Sequence, residues 1–234
     1  MMFFPFWFDP TFILLIPAIL LAAWAQIQVS STFSKYSRYR SSLGMTGAQV
    51  ARMLLDSTGL YNVEIEMISG SLTDHYDPRA KVIRLSKTTY SSQSVAAIGV
   101  IAHEIGHAIQ HKENYVPLIL RNAVVPVASI GSSLSWIIFI IGLLFFNPAL
   151  IRFGIILFSL AVLFTIITLP VELNASKRAL KLLRNNLLLP EQEVTAAKKV
   201  LNAAALTYVA SMAMALLQLL RMIFIAGMFG GDRS

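Results

Sequence analysis

The sequence predicts a mainly α-helical, polytopic membrane protein with four transmembrane helices and a polar module that contains a small β-sheet. Of its 234 residues, 56% are hydrophobic and only 13% are charged, a balance that a soluble globular domain of this length rarely has. The apolar residues are concentrated in four long runs, and the charged residues lie mostly between the runs. We therefore expect one membrane-embedded domain over residues 1–234, with a polar part formed by residues 30–116 and 171–203.

Four apolar runs are each close to the ~20 residues that a helix needs to cross a bilayer. They comprise residues 11–29, 123–146, 150–170 and 204–229. Pro17 predicts a kink in the first run, and Gln218 and Arg221 interrupt the fourth. Arg221 either marks a functional site or, in the interpretation we favour, pairs with a neighbour or extends its long side chain to an interface.

Positive charge is distributed unevenly about these runs. No Lys or Arg precedes Lys35, so the first run is predicted to be an uncleaved anchor with an external N-terminus and not a secretory signal. Basic residues are concentrated in the loops that follow the first and the third run, so both loops are expected to face the cytoplasm. We expect the net charge of +7 to attract the protein to anionic lipid head groups rather than to nucleic acid. The chain has no cysteine, which excludes disulfides and thiolate metal ligands.

The loop between the first and second runs carries signals for a helix followed by strands. Thr46 with Gln49 is typical of a capping box at the start of a helix. Alternating apolar residues over 63–67, and the segment 81–86 after a predicted turn at 77–80, indicate two strands. An open edge of such a sheet could hold an extended peptide, and a plain hairpin packed for stability is an equally good interpretation.

The motif His103-Glu-Ile-Gly-His107 is the strongest chemical signal in the chain. It lies in a predicted helix that starts after a cap at residues 91–94. Histidines at i and i+4 share one face of a helix, where both imidazoles can bind one Zn²⁺, and Glu104 would lie close to the water that this metal holds. Zn²⁺ lowers the pKa of bound water to about 7, and a neighbouring carboxylate that accepts the proton makes the water a nucleophile. The alternative is a helix that carries two surface histidines by chance.

His111 continues the same stripe but is expected not to bind the metal. Because a helix rises 1.5 Å per residue, His103 and His111 should lie about 12 Å apart along the axis, whereas zinc holds its nitrogen ligands at about 2 Å. No Gly or Pro lies between His107 and His111 to break the helix. We therefore assign His111 a structural or surface role.

A third ligand must come from elsewhere, and Glu172 in the second polar loop is the candidate. It follows Pro170 and is predicted to start a new helix through residues 177–183. Two histidines, one glutamate and an open position are typical of a catalytic site with one zinc ion. An acid is also favoured at a helix N-terminus, so the residues alone leave the two interpretations equal.

Three segments together resemble the YugP-like family of membrane zinc metallopeptidases. They are residues 103–111 with the histidine motif, Leu72-Thr-Asp-His-Tyr-Asp-Pro-Arg79 with Val82-Ile-Arg-Leu-Ser86, and Pro170-Val-Glu-Leu-Asn-Ala-Ser176. The resemblance covers nearly the whole chain in order. The family is similar to the wider group that includes HtpX and the CAAX prenyl proteases, in which a zinc helix and a later glutamate helix share one metal ion.

The resemblance implies a gluzincin-like zinc peptidase module in which His103, His107 and Glu172 bind one Zn²⁺. It also implies a place in the bacterial cytoplasmic (inner) membrane, with the active site facing the cytoplasm. In the wider group an acidic residue commonly follows the glutamate by four positions, and this chain has Ser176 there. The contacts that support the zinc ligands are therefore expected to be arranged differently here.

The function predicted from these residues is that of a zinc-dependent membrane endopeptidase acting on membrane or membrane-proximal proteins. Glu104 is expected to be the general base and then the acid. His75 and Tyr76 are candidates for stabilising the transition state, and a role in stabilising a turn is equally compatible with their positions. The expected partners are a protein or peptide substrate and the lipid bilayer, with no nucleic acid, and the sequence does not indicate an oligomeric state.

Two other functions fit the motif less well. A site-2-type intramembrane protease would bury its motif in an apolar span and supply an aspartate from another span. Here Lys112-Glu113-Asn114 follow the motif closely, and no aspartate lies within any of the four runs. A catalytically silent zinc-binding scaffold would have no use for Glu104 beside the metal.

Overall fold

The computed structural model describes residues 10–186 and 189–230, and these residues are mainly helical. After a 3-10 helix at Pro10–Leu15, the elements are α1 (Ile16–Ser37), α2 (Gly47–Ser57), β1 (Glu64–Ile68), β2 (His75–Asp77), β3 (Val82–Ser86), α3 (Lys87–Tyr90), α4 (Val95–Lys112), α5 (Val116–Leu144), α6 (Pro148–Asn185) and α7 (Glu191–Gly230). The external N-terminus that the sequence predicts falls within residues 1–9, which lie outside the described residues.

Four helices in the described part of the chain are long and apolar enough to cross a membrane. They are Pro10–Ser37, which joins the 3-10 helix to α1, Val116–Leu144, Pro148–Asn185 and Glu191–Met228. Each overlaps one of the predicted apolar runs, so the prediction of four candidate membrane spans is confirmed. Polar residues continue several of these helices beyond the run itself.

Pro17 does not interrupt α1 in its interior. α1 begins at Ile16, so Pro17 lies in the first turn, where a missing backbone N–H removes no hydrogen bond within the helix. The preceding segment, Pro10–Leu15, is a 3-10 helix with a different rise and hydrogen-bond spacing. The structure thus has a junction between two types of helix just before Pro17, and the kink stays a prediction.

The third span does not end at Pro170, and the prediction of a new helix that starts at Glu172 is wrong. α6 runs from Pro148 to Asn185 with Pro170 inside it. Proline is tolerated within membrane helices because neighbouring groups and small local adjustments satisfy the carbonyl that it leaves unpaired. Glu172 therefore lies in mid-helix, and its interpretation as an acid at a helix N-terminus is wrong as well.

The chain forms two compact units. In the described part of the chain, the helical unit comprises residues 10–24, 120–169 and 207–230, and the mixed unit comprises residues 25–119, 170–186 and 189–206. Phe139 and Met222 are completely buried in the helical unit. Gly154 allows close packing there, because a Cβ at this position would lie 2.9 Å from the carbonyl oxygen of Ser135.

Arg221 has partners within the helical unit. Its Nε donates a hydrogen bond to Oγ1 of Thr11 at 3.1 Å, and its guanidinium carbon lies 5.7 Å from the ring centre of Trp136. A polar acceptor and an aromatic face both stabilise a cation among apolar helices. These contacts favour the structural interpretation of Arg221.

The mixed unit has a core of aliphatic side chains. Ile83 from β3, Ile101 from α4 and Leu183 from α6 are all completely buried in it. This shared core holds α4 and the second half of α6 against the sheet.

At the start of α2, the backbone N–H of Thr46 donates to Oε1 of Gln49 at 2.9 Å, as the capping motif predicts.

The sheet has three strands in the order β1-β3-β2. β1 pairs with β3 in parallel, and β2 pairs with β3 antiparallel. The interpretation of the two predicted strands as a plain hairpin is therefore wrong, because the hairpin partner of β3 is β2. A strand of three residues is too short for its alternation to be recognised in a sequence.

Candidate metal centre

α4 presents its histidine motif close to α6. The helix begins after Ser94, within the predicted cap segment, and continues without a break to Lys112. Its Gly106 faces the backbone of α6, where a Cβ would come 2.6 Å from the carbonyl oxygen of Ala175. The absence of a side chain at this position lets the two helices approach closely. The approach brings the histidines of α4 within reach of Glu172.

Three potential metal ligands converge between α4 and α6. His103, His107 and Glu172 each offer one ligand atom, and these atoms lie within 4.8 Å of one another. Oε2 of Glu172 lies 3.2 Å from Nε2 of His103 and 3.4 Å from Nε2 of His107. The Glu172 side chain is only 5% exposed, and the two imidazoles are 15% and 11% exposed. Two imidazole nitrogens and a carboxylate oxygen in this arrangement could hold one metal ion.

Each of the two histidines has a polar contact on its other ring nitrogen. Nδ1 of His103 lies 3.2 Å from Oγ of Ser176, and Nδ1 of His107 lies 3.0 Å from Oε1 of Gln110. Contacts of this kind fix the orientation of a ring and direct its remaining nitrogen toward the ligand cluster. Ser176, which stands where the wider group has an acid, thus contacts a candidate ligand through a hydroxyl group.

Gln110 is not among the residues predicted from the sequence. Its side chain is completely buried and contacts His107 on its own helix and Val171 and Asn174 on α6. Its position three residues after His107 places both side chains on one face of α4. A polar residue at this spacing from a metal motif is the signal in the sequence that could identify Gln110 as a contact of His107.

Glu104 lies beside the ligand cluster but is not one of its three members. It is 8% exposed, and its Oε2 accepts a hydrogen bond from the backbone N–H of Tyr76 at 2.9 Å. Burial raises the pKa of Glu104 to about 7, although the neighbouring His103 opposes the rise. A carboxylate with a pKa near neutrality is suited both to accept a proton and to return it.

β2 carries both residues predicted to stabilise a transition state. Nδ1 of His75, an exposed residue, lies 2.9 Å from the carbonyl oxygen of Thr73. The hydroxyl of Tyr76 lies 2.9 Å from Nδ1 of His111. His111 therefore contacts Tyr76, and it is not in the ligand group found among the described residues.

Asp74 is a second residue that the sequence did not point to. Its carboxylate accepts hydrogen bonds from the backbone N–H of Ser86 at 2.8 Å and from Oγ1 of Thr89 at 3.1 Å. These bonds tie the residue before β2 to the end of β3 and to α3. Asp74 thereby fixes the strand whose residue Tyr76 contacts Glu104.

Comparisons with known proteins bear on this geometry. The profile of a family described as "putative neutral zinc metallopeptidase" matches residues 11–227, a range that includes the whole candidate centre. The chain is 48% identical over 216 residues to the "putative membrane protease YugP" of Bacillus subtilis (strain 168), and the match covers 92% of this chain and 96% of that protein. The comparison with solved structures gives no match.

Proposed function

We propose that this chain, which belongs to the family described as "putative neutral zinc metallopeptidase", is a zinc-dependent membrane endopeptidase. The observation that carries the proposal is the convergence of His103, His107 and Glu172 with the buried Glu104 beside them. Structural zinc sites typically have four protein ligands, whereas three ligands leave one position open for chemistry.

The donor set fits one Zn²⁺ ion. His103 and His107 would bind through Nε2, because their Nδ1 atoms contact Ser176 and Gln110. Glu172 would supply a carboxylate oxygen and a negative charge that matches the cation. When bound, zinc supplies Lewis acidity, which polarises a carbonyl oxygen and makes water more acidic.

Glu104 is the proposed general base and acid. With a pKa of about 7, it accepts a proton from the attacking water and returns that proton to the nitrogen of the leaving amine. The hydrogen bond from the N–H of Tyr76 fixes the orientation of the carboxylate during both transfers. His75 and the hydroxyl of Tyr76 are proposed to stabilise the negative charge that develops on the substrate oxygen.

The proposed substrate is a peptide segment of a membrane or membrane-proximal protein. Glu172 lies two residues after the third apolar run, residues 150–170, so it is within one helical turn of that run. The basic residues of the two polar segments favour the cytoplasmic face of a bacterial inner membrane. We propose that residues 1–234 act as one membrane-embedded domain, with 30–116 and 171–203 as its catalytic segments.

A metal and cleavage assay on the purified full chain in detergent tests this function. We expect about one zinc ion per chain, cleavage of casein that a chelator abolishes, and recovery when zinc is added back. A chain that binds zinc but cleaves neither casein nor a membrane-anchored substrate would be a scaffold. Cleavage confined to the transmembrane segment of a substrate would indicate a site-2-type protease instead.

A further inference from the structure

Gln110 is a completely buried amide between the two helices that carry the candidate ligands. Its Oε1 lies 3.0 Å from Nδ1 of His107. Its Nε2 donates to the carbonyl oxygen of Val171 at 2.8 Å and to Oδ1 of Asn174 at 3.0 Å, both on α6. Val171 directly precedes Glu172. One side chain therefore links His107 to the stretch of backbone that positions Glu172.

The partners of the Gln110 amide determine which way it faces. A backbone carbonyl oxygen only accepts hydrogen bonds, so the atom that faces Val171 must be the NH₂ group. Asn174 also presents its oxygen to Gln110, because Nε of Arg178, which can only donate, lies 2.7 Å from Oδ1 of Asn174. Both partners therefore turn Oε1 of Gln110 toward His107.

This orientation selects one tautomer of His107. An amide oxygen only accepts, so Nδ1 of His107 must carry the proton and donate it to Gln110. In the neutral ring Nε2 then keeps its lone pair, and Nε2 is the atom that lies 3.4 Å from Oε2 of Glu172. Metal binding requires that lone pair. The contact of His103 is different, because Oγ of Ser176 can donate or accept and so selects neither tautomer.

We infer that Gln110 is a positioning residue for the metal centre. It holds His107 in the tautomer that binds zinc, and its contacts with Val171 and Asn174 fix which way its own amide faces. The inference rests on the proposed zinc site, but it concerns metal affinity and ring tautomer rather than cleavage. Loss of such an outer contact typically lowers metal affinity by about 10–100-fold.

Zinc affinity of the full chain in detergent tests the inference. Metal-free protein is titrated with zinc in competition with a chromophoric chelator. Gln110→Met keeps a similar volume without polar atoms and should weaken zinc binding by about 10–100-fold. Gln110→Glu keeps an acceptor for the Nδ1 proton of His107 and should stay within about threefold of the wild type. Gln192→Met, at an exposed position of α7, is the matched control and should leave the affinity unchanged.

If Gln110 had a structural role alone, Gln110→Met and Gln110→Glu would lose zinc affinity equally. The unfolding temperature of the metal-free protein separates this role from the proposed one. Gln110→Glu places a carboxylate against the carbonyl of Val171, so its metal-free form should unfold at a lower temperature even though zinc affinity is retained. The chain has four histidines, so nitrogen-15 labelling of histidine allows the ring of His107 to be assigned by NMR. Nδ1 of His107 should carry the proton in the metal-free wild type and lose that preference in Gln110→Met.

Three results would overturn the inference. They are an unchanged zinc affinity of Gln110→Met, an equal loss of affinity in Gln110→Met and Gln110→Glu, and an unprotonated Nδ1 on His107 in the wild type. The NMR result decides the matter if Gln110→Glu does not fold. A wild-type chain that binds no zinc would instead overturn the proposed function itself, so the two failures are distinguishable.

Discussion

The backbone N–H of Tyr76 donates a hydrogen bond of 2.9 Å to Oε2 of Glu104. The bond joins the edge strand β2 to α4 next to the candidate ligands. It favours the ionised carboxylate, but burial disfavours that form more strongly, so the pKa of Glu104 is raised to about 7. The carboxylate is thus held in one orientation while its proton remains exchangeable near neutral pH.

Glu104→Gln is expected to lower turnover strongly while zinc is retained. The amide oxygen can still accept the N–H of Tyr76, and the three proposed ligands are unchanged, but an amide cannot take up the proton of water. Cleavage of casein should fall by about 10²–10⁴-fold, with wild-type zinc content measured by atomic absorption. Undiminished cleavage would exclude Glu104 as the general base.

The metal-free protein is expected to lose stability through Glu104 as pH rises. An acid whose pKa is raised by folding stabilises the folded state fully below its unfolded pKa of 4.5, and this contribution is lost as pH rises to about 7. The loss is at most about 3 kcal/mol. Glu104→Gln lacks this contribution, so the unfolding temperature of the wild type relative to the variant should fall by several degrees over this range. A difference that stays constant with pH would contradict the burial of an exchangeable carboxyl group.

The placement of the histidines along α4 could be predicted from the sequence, because it depends only on the period of one helix. His103 and His107 are four residues apart, so any α-helix through them places both rings on one face. The same geometry separates His111 from the ligands, and His111 instead contacts Tyr76. Glu172 is 69 residues from His103 in the chain, and only the resemblance to a known family favoured it over a helix-terminal acid.

The features that depend on contacts between distant segments could not be predicted. The continuation of α6 through Pro170 depends on the surroundings of the helix, because proline alone predicts a break. Asp74 has no local signal that separates it from a surface residue, because its partners lie on other elements. Gln110 has one local cue, its spacing of three residues from His107, but its contacts with Val171 and Asn174 on α6 have no counterpart in the local sequence. β2 is also too short to recognise, although it carries the contact to Glu104.

Cysteine labelling is expected to place both polar segments on one side of the membrane. Cysteines introduced at Lys87 and Lys181 should resist membrane-impermeant thiol reagents in intact cells, whereas a cysteine at Asn147 should react. All three positions are exposed, and the chain has no cysteine of its own to contribute background. Reaction of the Lys87 and Lys181 positions from opposite sides would be incompatible with a shared metal centre.

Gly106→Ala is expected to destabilise the centre by forcing α4 away from α6. Its Cβ would lie 2.6 Å from the carbonyl oxygen of Ala175, and a backbone atom cannot turn aside as a side chain can. The free energy of unfolding should fall by about 1–3 kcal/mol, and zinc affinity should fall with it. Gly227→Ala is the matched control, because a Cβ there meets nothing within 4 Å and alanine favours a helix. Equal unfolding temperatures and zinc affinities for the two variants would argue against a close approach of the helices.

Glu172→Ala and His111→Ala are expected to have opposite effects on zinc content. Two imidazoles alone hold zinc poorly, so Glu172→Ala should lose most of its metal and all of its activity. His111→Ala removes the hydrogen bond of 2.9 Å to the hydroxyl of Tyr76 and the ring contact with Tyr76, and neither involves a proposed ligand, so its zinc content should stay near that of the wild type. A zinc-bound structure should place a carboxylate oxygen of Glu172 about 2.0–2.2 Å from the metal. If zinc is instead lost from His111→Ala and kept by Glu172→Ala, the helix must break after His107, and the separation of His111 from the ligands by helical rise does not hold.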